Sequence, residues 1–184
     1  MSLLLTLSLI FGAFEQGMVR ARELAADAPR DAHEGIAISA EAYDKDQIVR
    51  PKQSSAVLPV YLVVSNPTKD ALKLEALTVT LEGPDRRKYP RISGVDVEQW
   101  FQGSVVFKRG KPTTPNKPLQ GITDQEFLVK MVPPGDTIRG FMYFADSPKS
   151  AAGLTLVLTG LKWASSGKEL LFFELHFPEA EKKP

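Results

Sequence analysis

The stretch from Val57 to Gly83 constrains the fold most, because it predicts two β-strands joined by a tight connection. Residues 57–64 form an almost unbroken run of apolar and β-branched side chains, which is typical of a strand covered on both faces. Asn66 and Pro67 end this strand, since proline cannot donate to a sheet and restricts the preceding residue to extended geometry. The run therefore predicts a central strand, and a second strand follows it from Leu72 to Leu81.

The alternation of the second strand changes part-way along it. Apolar side chains fall on even-numbered positions up to Ala76 and on odd-numbered positions from Leu77 onward. Successive side chains of a strand point to opposite faces, so the change requires an irregularity. We predict a β-bulge near Ala76–Leu77, which would insert one residue and restore the inward face.

The bulk properties describe an ordinary globular chain. Its 184 residues are 43% hydrophobic and 24% charged, which fits one domain with extensions. The 23 Lys and Arg against 22 Asp and Glu argue against a protein built mainly to coat nucleic acid or acidic membrane. The absence of cysteine excludes disulfides, thiolate metal sites and thiol nucleophiles.

The N-terminal residues resemble an export signal. Residues 3–14 form an apolar run that is shorter than the ~20 residues of a membrane-spanning helix. Val19–Ala21 resembles a cleavage site, so residues 1–21 are predicted to be a signal peptide, with Arg22 beginning a mature chain that does not span the membrane. No Lys or Arg precedes the run and Glu15 follows it, so an amphipathic or buried N-terminal helix is the alternative. Export would place the protein in the periplasm or outside the cell.

The remaining chain is predicted to be strand-rich. Residues 22–35 are interpreted as a linker or short helix, residues 36–177 as the sandwich, and residues 178–184 as a flexible tail. An irregular insertion around residues 89–125 contains a short edge strand at 89–92 and a strand or helical turn at 95–101. Further strands are predicted at 36–43, 104–107, 127–132, 137–145, 154–158 and 170–177.

Two of these predicted strands carry a more detailed expectation. In the strand at 137–145, Gly140 predicts a bulge or a close approach of another segment. In the strand at 170–177, alternation places Leu171, Phe173, Leu175 and Phe177 on one face. The whole pattern favours an antiparallel, immunoglobulin-like β-sandwich of about seven to nine strands. It does not distinguish that topology from a jelly roll or a barrel.

Three segments carry a resemblance to a known group of domains. They are LPVYLVVSNPT at 58–68, LEALTVTLEG at 74–83 and VPPGDTIRGFMYFA at 132–145, followed by a final hairpin. Their order resembles the immunoglobulin-like (telokin-like) domains of bacterial secreted proteins, over residues 36–177. The resemblance implies a secreted β-sandwich and brings no catalytic or binding residue with it. The insertion is longer than the resemblance leads us to expect.

The candidate catalytic residues are few. His33 and His176 are the two histidines, and neither lies in a metal-binding or hydrolase motif. We expect both to be solvated surface side chains. A glycosidase needs two opposed carboxylates, and four are available in the irregular region, but their spacing selects no pair: Asp96, Glu98, Asp124 and Glu126. The sequence therefore predicts a non-enzymatic protein with no cofactor and no metal.

Basic side chains concentrate in the middle third of the chain, with aromatic residues between them. Such a mixture suits binding of an acidic protein surface or an anionic glycan, and the alternative is a solvated rim around aromatic core residues. The predicted partner surface consists of Arg86, Arg87, Lys88, Tyr89, Arg91, Trp100, Lys108, Arg109, Lys111 and Lys117.

This surface leads to two function hypotheses. The leading one is a protein-interaction or accessory module whose partner is another envelope or secreted protein, with nucleic acid disfavoured. The alternative is a carbohydrate- or other ligand-binding module, or a glycan-active enzyme, that uses the region of Trp100 and Tyr89. A third, purely structural role would be to lend an edge strand to another β-protein.

Overall fold

Two antiparallel sheets face each other in the computed structural model, which describes residues 24–43, 48–49, 56–102, 107–108, 111–112, 122–148 and 150–179. The first sheet contains, in spatial order, β1 (Arg30–His33), β2 (Ile36–Ala42), β4 (Ala56–Ser65), β12 (Thr137–Ser147) and β8 (Arg91–Ile92), with β3 (Ile48–Val49) paired to β4. The second sheet contains β15 (Phe173–His176), β13 (Thr155–Thr159), β6 (Thr78–Glu82) and β7 (Lys88–Tyr89).

Shorter elements complete the described part of the chain. A small end sheet is formed by β11 (Met131–Val132), β5 (Leu72–Lys73) and β14 (Lys162–Trp163). A two-stranded ladder is formed by β9 (Phe107–Lys108) and β10 (Lys111–Pro112). The helical elements among the described residues are α1 (Gly94–Gln102) and a 3₁₀ turn (Thr123–Gln125). The predicted all-β sandwich is thus confirmed, and seven of the described strands have four or more residues: β1, β2, β4, β6, β12, β13 and β15.

Strand β4 is central and covered on both faces, as its apolar run predicts. Leu58, Val60, Leu62 and Val64 point into the main core between the two sheets. Tyr61 lies on the opposite face, in a second apolar cluster that is completed by residues from α1 and the segment around residue 122. Because a helix covers the outer face of the first sheet, β4 needs apolar side chains at consecutive positions.

The predicted bulge near Ala76–Leu77 is wrong. A turn replaces it, in which the Leu77 N–H donates to the Leu74 carbonyl oxygen at 3.0 Å. The turn separates β5 in the end sheet from β6 in the second sheet. Each short strand therefore keeps its own alternation, and no extra residue has to be accommodated within one ladder.

Other boundaries also differ from the predictions. In the predicted strand 127–132, residues 131–132 pair with β5, and Glu126 forms an isolated bridge with Phe141. Residues 95–101 are helical, which is one of the two alternatives predicted for them. Leu171 is 66% exposed, whereas the alternation placed it on the buried face with Phe173. It precedes β15, so the alternation of the strand does not yet apply to it.

Gly140 marks a close approach, which was one of its two predicted roles. A Cβ at this position would lie 2.9 Å from both the backbone N and Cα of Phe127. The bulge of β12 lies instead between Phe144 and Ser147. The close contact therefore places segment 126–127 against the strand, with Phe127 in the main core.

Strand β1 occupies residues that the sequence assigned to a linker or short helix. It is short and polar, so it lacks the apolar alternation by which strands are recognised. His33 stacks on Phe173 with ring centroids 3.8 Å apart, and its Nε2 donates to the Phe172 carbonyl oxygen at 3.1 Å. The Glu174 N–H donates to Asp31 Oδ2 at 3.0 Å. His33 is thus partly buried, and the expectation that it is a solvated surface residue is wrong.

These contacts cover the outer edge of β15 with side chains. Exposed edge strands offer unpaired backbone groups to other chains, and here three consecutive contacts from residues 31–34 engage backbone groups of residues 171–174. Strand β1 therefore closes the sandwich on one side, while the β7–β8 crossing through Pro90 joins the two sheets on the other.

The Glu34 carboxylate should make this closure pH-dependent. The hydrogen bond from the Leu171 N–H at 3.1 Å, followed by that from Lys168 at 3.0 Å, lowers the pKa of Glu34 below its ordinary value of 4.5. Because the folded-state pKa is the lower one, the stabilisation is present above about pH 4.5 and is lost as the pH falls through the folded-state pKa. Glu34→Gln should therefore lower Tm at pH 7, with a difference from the wild type that disappears in acid.

Thermal unfolding followed by circular dichroism between pH 7 and pH 3 measures this effect. Glu174→Gln, at an exposed position of β15, is the matched control, and its Tm at pH 7 should stay close to the wild-type value. A Glu34→Gln difference that is constant across this range would contradict the assigned role of the carboxylate.

Candidate functional site

Among the residues whose side chains the structure describes, the most exposed part of the predicted partner surface is a basic hairpin. It joins β6 to β7, and the Gly83 N–H donates to the Arg87 carbonyl oxygen at 2.8 Å. The Arg86 N–H donates to the Gly83 carbonyl oxygen at 2.9 Å, and the Arg87 N–H donates to Asp85 Oδ1 at 3.1 Å. Backbone and side-chain hydrogen bonds thus fix the backbone of the turn, from which its side chains extend.

The backbone of the turn is constrained at two residues, Arg86 and Gly83. Arg86 has a φ of 62°, in the left-handed region that few non-glycine residues adopt. A Cβ at Gly83 would lie 2.7 Å from Asp85 Oδ1, so glycine leaves room for the carboxylate that accepts from Arg87. Residues 84–88 are all exposed. The hairpin hence presents three consecutive cationic side chains to solvent.

The charges of the hairpin are mixed. Lys88 Nζ lies 3.3 Å from Glu82 Oε1, and the Arg87 guanidinium carbon lies 5.4 Å from the Tyr89 ring centroid, a cation–π geometry. Arg86 forms no ion pair with any residue that the structure describes. Three cations and the two carboxylates at 82 and 85 leave one net positive charge in this segment.

Tyr89 supports the hairpin from below. It is half-buried and packs against the main core, while Arg87 covers its ring. Aromatic rings that bind sugars offer an open apolar face. The ring of Tyr89 instead packs against the main core and is covered by Arg87. In this structure Tyr89 acts as a support for Arg87.

Arg91 lies apart from the hairpin, in a cluster beneath α1. Its Nη2 donates to the Phe127 carbonyl oxygen at 3.1 Å and lies 3.4 Å from Glu126 Oε1. The Glu126 side chain is only 4% exposed, and its Oε2 accepts from the Gly94 N–H at 2.8 Å. Arg91 thus connects β8 to the segment that supports the helix, and the structure does not present it as a free surface cation.

The other predicted surface residues lie outside the hairpin. Trp100 lies in α1, Lys108 in β9 and Lys111 in β10, where the backbone alone is described. Arg109 and Lys117 lie outside the described residues. The structure therefore brings together Arg86, Arg87, Lys88 and Tyr89, and these four define what we call the basic hairpin surface.

The carboxylates of the irregular region act largely as helix and turn acceptors. Asp96 Oδ2 accepts from Ser93 Oγ at 2.7 Å, and Ser93 Oγ accepts from the Asp96 N–H at 3.1 Å, which caps α1. Glu98 Oε1 accepts from the Thr123 N–H at 3.1 Å. With Glu126 bound to Gly94, three of the four candidate carboxylates hold backbone groups in place.

A buried tyrosine underlies the same segment. The Tyr143 hydroxyl donates to the Ile122 carbonyl oxygen at 3.1 Å. Burial, and then the negative charges of Glu126 and Glu98, raise the pKa of Tyr143 well above its usual range. The phenol consequently remains a hydrogen-bond donor and keeps segment 122–126 against the first sheet.

No group of three or more metal-ligating side chains could hold a metal ion within the described ranges. His176, on the exposed face of β15, contacts the Thr155 hydroxyl at 3.2 Å through Nδ1. No helix in the described part of the chain is long and apolar enough to cross a membrane.

Comparison with known proteins assigns no family. No family model matches the chain, and no curated protein matches it. A Bacillus subtilis protein, YcdA, inferred to be a lipoprotein, has a similar structure with a TM-score of 0.46 and 14% identity, over 81% of this chain and 38% of that one. The chain thus spans well under half the length of that protein.

Two further solved structures are similar at comparable levels. The Northeast Structural Genomics Consortium target SoR45 has a TM-score of 0.41 and 12% identity, over 80% of this chain and 91% of that one. A conserved hypothetical protein of Bacillus anthracis has a TM-score of 0.42 and 12% identity, over 76% and 89%. None of these similarities identifies a function.

Proposed function

We propose that this protein is an exported, non-enzymatic β-sandwich that binds another envelope or secreted protein through the basic hairpin surface. The observation that carries the proposal is the row of exposed cations at Arg86, Arg87 and Lys88 on a hydrogen-bonded turn. Arginine beside an aromatic ring is a frequent combination at protein interfaces. The predicted signal at residues 1–21 supports export, and the resemblance to immunoglobulin-like secreted domains supports the same setting.

The charge pattern favours a protein partner over a polyanion. A uniformly charged glycan would be repelled by Glu82 and Asp85, which lie among the three cations. A folded partner can present carboxylates to the arginines and a hydrogen-bond donor to each acidic side chain. A surface with charges of both signs therefore favours a partner with the complementary charge pattern. Side chains held by a rigid turn also lose less conformational freedom on binding.

Charge reversal of the hairpin tests the proposal. The full chain, tagged and expressed in its own cell, is used to isolate partners from envelope extract, which are identified by mass spectrometry and then titrated. Replacing Arg86, Arg87 and Lys88 together with glutamate should weaken binding of a stoichiometric partner by about tenfold or more, because three attractive charges become repulsive. Binding to the wild type should also weaken as salt is raised.

The matched control reverses three exposed cations elsewhere: Lys69, Lys130 and Arg139. It changes the net charge equally and should leave binding close to the wild-type value. Equal loss in both triple variants would mean that only overall charge matters, and unchanged binding in the hairpin variant would refute the surface assignment. Binding to anionic glycans alone, with no protein partner, would replace the proposed partner class.

A further inference from the structure

The basic hairpin has an arginine at the backbone position where its turn favours glycine. Its loop consists of three residues, Pro84, Asp85 and Arg86. The Gly83 carbonyl oxygen accepts from the Arg86 N–H, and the Gly83 N–H donates to the Arg87 carbonyl oxygen, which is the pattern of a β-turn followed by one left-handed residue. Arg86 is that residue, with a φ of 62°, and three-residue hairpin loops ordinarily have glycine there.

A side chain costs stability at this position, because in the left-handed conformation the Cβ approaches the following carbonyl oxygen. Most described residues with positive φ are therefore glycines: Gly35, Gly135, Gly153, Gly160 and Gly167. The described non-glycine residues with positive φ are Glu34, Arg86 and Asp146. Aspartate adopts this conformation more readily than most residues, so Glu34 and Arg86 are the two that require another explanation.

The cost at Glu34 is offset within the fold. Its carboxylate accepts from the Leu171 N–H at 3.1 Å and from Lys168 Nζ at 3.0 Å, and these bonds close the edge of the sandwich. The Arg86 side chain is exposed and forms no hydrogen bond or ion pair with any residue in the described part of the chain. Contacts within the described fold therefore do not offset the cost of an arginine at position 86.

The other two cations of the hairpin are engaged within it. The Arg87 guanidinium lies over the Tyr89 ring, and Lys88 Nζ lies 3.3 Å from Glu82 Oε1. A partner would have to compete with these contacts for Arg87 and Lys88, whereas the Arg86 guanidinium has all of its donors available. A guanidinium can bind a carboxylate through two parallel N–H···O bonds, which gives geometric specificity as well as attraction.

We propose that Arg86 determines the specificity of the basic hairpin surface, by pairing with the carboxylate of an aspartate or glutamate of the partner protein. This role rests on the proposed function and adds to it the residue and the chemistry of recognition. Departures from local turn chemistry that the fold does not offset are expected at functional sites. The fixed backbone of the turn also limits the conformational freedom lost on binding.

Two substitutions at position 86 of the full chain separate the backbone from the side chain. Arg86→Ala removes the guanidinium but keeps a Cβ at a φ of 62°, so Tm should stay within about 1 °C of the wild-type value. Arg86→Gly also removes the backbone cost and should raise Tm by roughly 2 °C or more. Glu34→Gly is the matched control, because it loses both hydrogen bonds of the carboxylate and so should not raise Tm.

Binding is measured by isothermal calorimetry with the protein that the wild-type chain isolates from envelope extract, after its purification. Arg86→Ala and Arg86→Gly should each weaken binding by about tenfold or more. Arg87→Gln and Lys88→Gln should each weaken it by about threefold or less. Arg86→Lys keeps the charge without the two-donor fork and should give an intermediate affinity. Lys69→Ala, which removes an exposed cation outside the hairpin, should bind like the wild type.

A charge exchange identifies the carboxylate. Arg86→Glu should abolish most of the binding, and replacing the facing aspartate or glutamate of the purified partner with lysine should restore it. If no lysine substitution on the acidic surface of the partner restores binding, the assignment of a carboxylate is wrong.

The remaining outcomes distinguish the role of Arg86 from the proposed function. If the triple charge reversal weakens binding while Arg86→Ala binds like the wild type, the hairpin surface stands and the role of Arg86 is refuted. If Arg86→Gly is no more stable than the wild type, the arginine costs nothing at this position, and its assigned role is overturned whatever the binding. Unchanged binding in the triple variant, or the absence of any envelope partner, would refute both proposals.

Discussion

Replacing Asn66 with alanine should lower the free energy of unfolding by about 3–4 kcal/mol, a large effect for a single substitution. Asn66 is fully buried. Its Nδ2 donates to the carbonyl oxygens of Asp70 at 2.8 Å, Val132 at 3.1 Å and Pro133 at 3.2 Å. Its Oδ1 accepts from Thr68 Oγ1 at 2.6 Å. Alanine would remove all of these bonds and leave buried groups without their partner.

The backbone of Asn66 joins the same cluster. Its N–H donates to the Asp136 carbonyl oxygen at 2.9 Å, and its own carbonyl oxygen accepts from the Gly135 N–H at 2.8 Å. The side chain therefore fixes a loop that the backbone already holds against the turn before β12. Urea unfolding followed by circular dichroism, with linear extrapolation, measures the loss.

Two further variants make this result specific. Lys69→Ala changes an exposed side chain of the same loop and should alter stability by no more than about 0.5 kcal/mol. Asn66→Asp keeps the shape but replaces the donor nitrogen with an oxygen that faces three carbonyl oxygens, so it should destabilise at least as much as alanine at neutral pH. Wild-type stability in the aspartate variant would contradict the hydrogen-bond explanation.

The Asn66 cluster shows which part of the fold the sequence could predict. The end of the strand at Asn66–Pro67 follows from local chemistry, and so does the turn at Pro134–Gly135. The Asn66 side chain also reaches the Val132 carbonyl oxygen, 66 residues away, and no local pattern encodes that contact. Residues of both segments carry the resemblance to immunoglobulin-like domains, and their roles here are structural. The resemblance therefore bears on fold and says nothing about a binding site.

The residues of the candidate site also divide into those whose placement the sequence predicts and those whose placement it does not. Arg86, Arg87 and Lys88 are consecutive and lie in a turn, so the sequence alone could place them together. Arg91 is only three residues further on, but its partner Glu126 is 35 residues away, and the ion pair engages its charge. A cation's availability depends on such distant carboxylates, which composition and spacing do not reveal.

Alternation alone does not predict the environment of polar residues inside strands. Glu41 lies in an alternating strand where a polar side chain predicts solvent, yet the turn at residues 25–29 covers it. The signal that could have found it is the single acidic residue among the small apolar residues of β2. The sequence does not predict strand β1 for a related reason, since Asp31 and His33 point toward the second sheet without being apolar.

Replacing Gly160 with alanine should lower the free energy of unfolding by about 3 kcal/mol or more, from two separable causes. Gly160 has a φ of 80°, where a side chain costs roughly 1–2 kcal/mol. Its Cβ would also overlap the carbonyl oxygen of Ala76 and lie 2.9 Å from the carbonyl carbon. Ala76 belongs to the turn between β5 and β6, so relief of the overlap would move the end sheet away from the second sheet.

Gly167→Ala separates these causes. Gly167 has a φ of 69°, but a Cβ there would meet no atom within 4 Å. Its variant should therefore show the backbone cost alone, about 1–2 kcal/mol, and the difference between the two variants measures the close approach of Gly160 to Ala76. If chemical denaturation gave equal losses, the turn at Ala76 would be able to shift at little cost. The contact would then not be what holds the end sheet in place, and the turn between β5 and β6 would owe its position to the burial of Leu72 and Leu74.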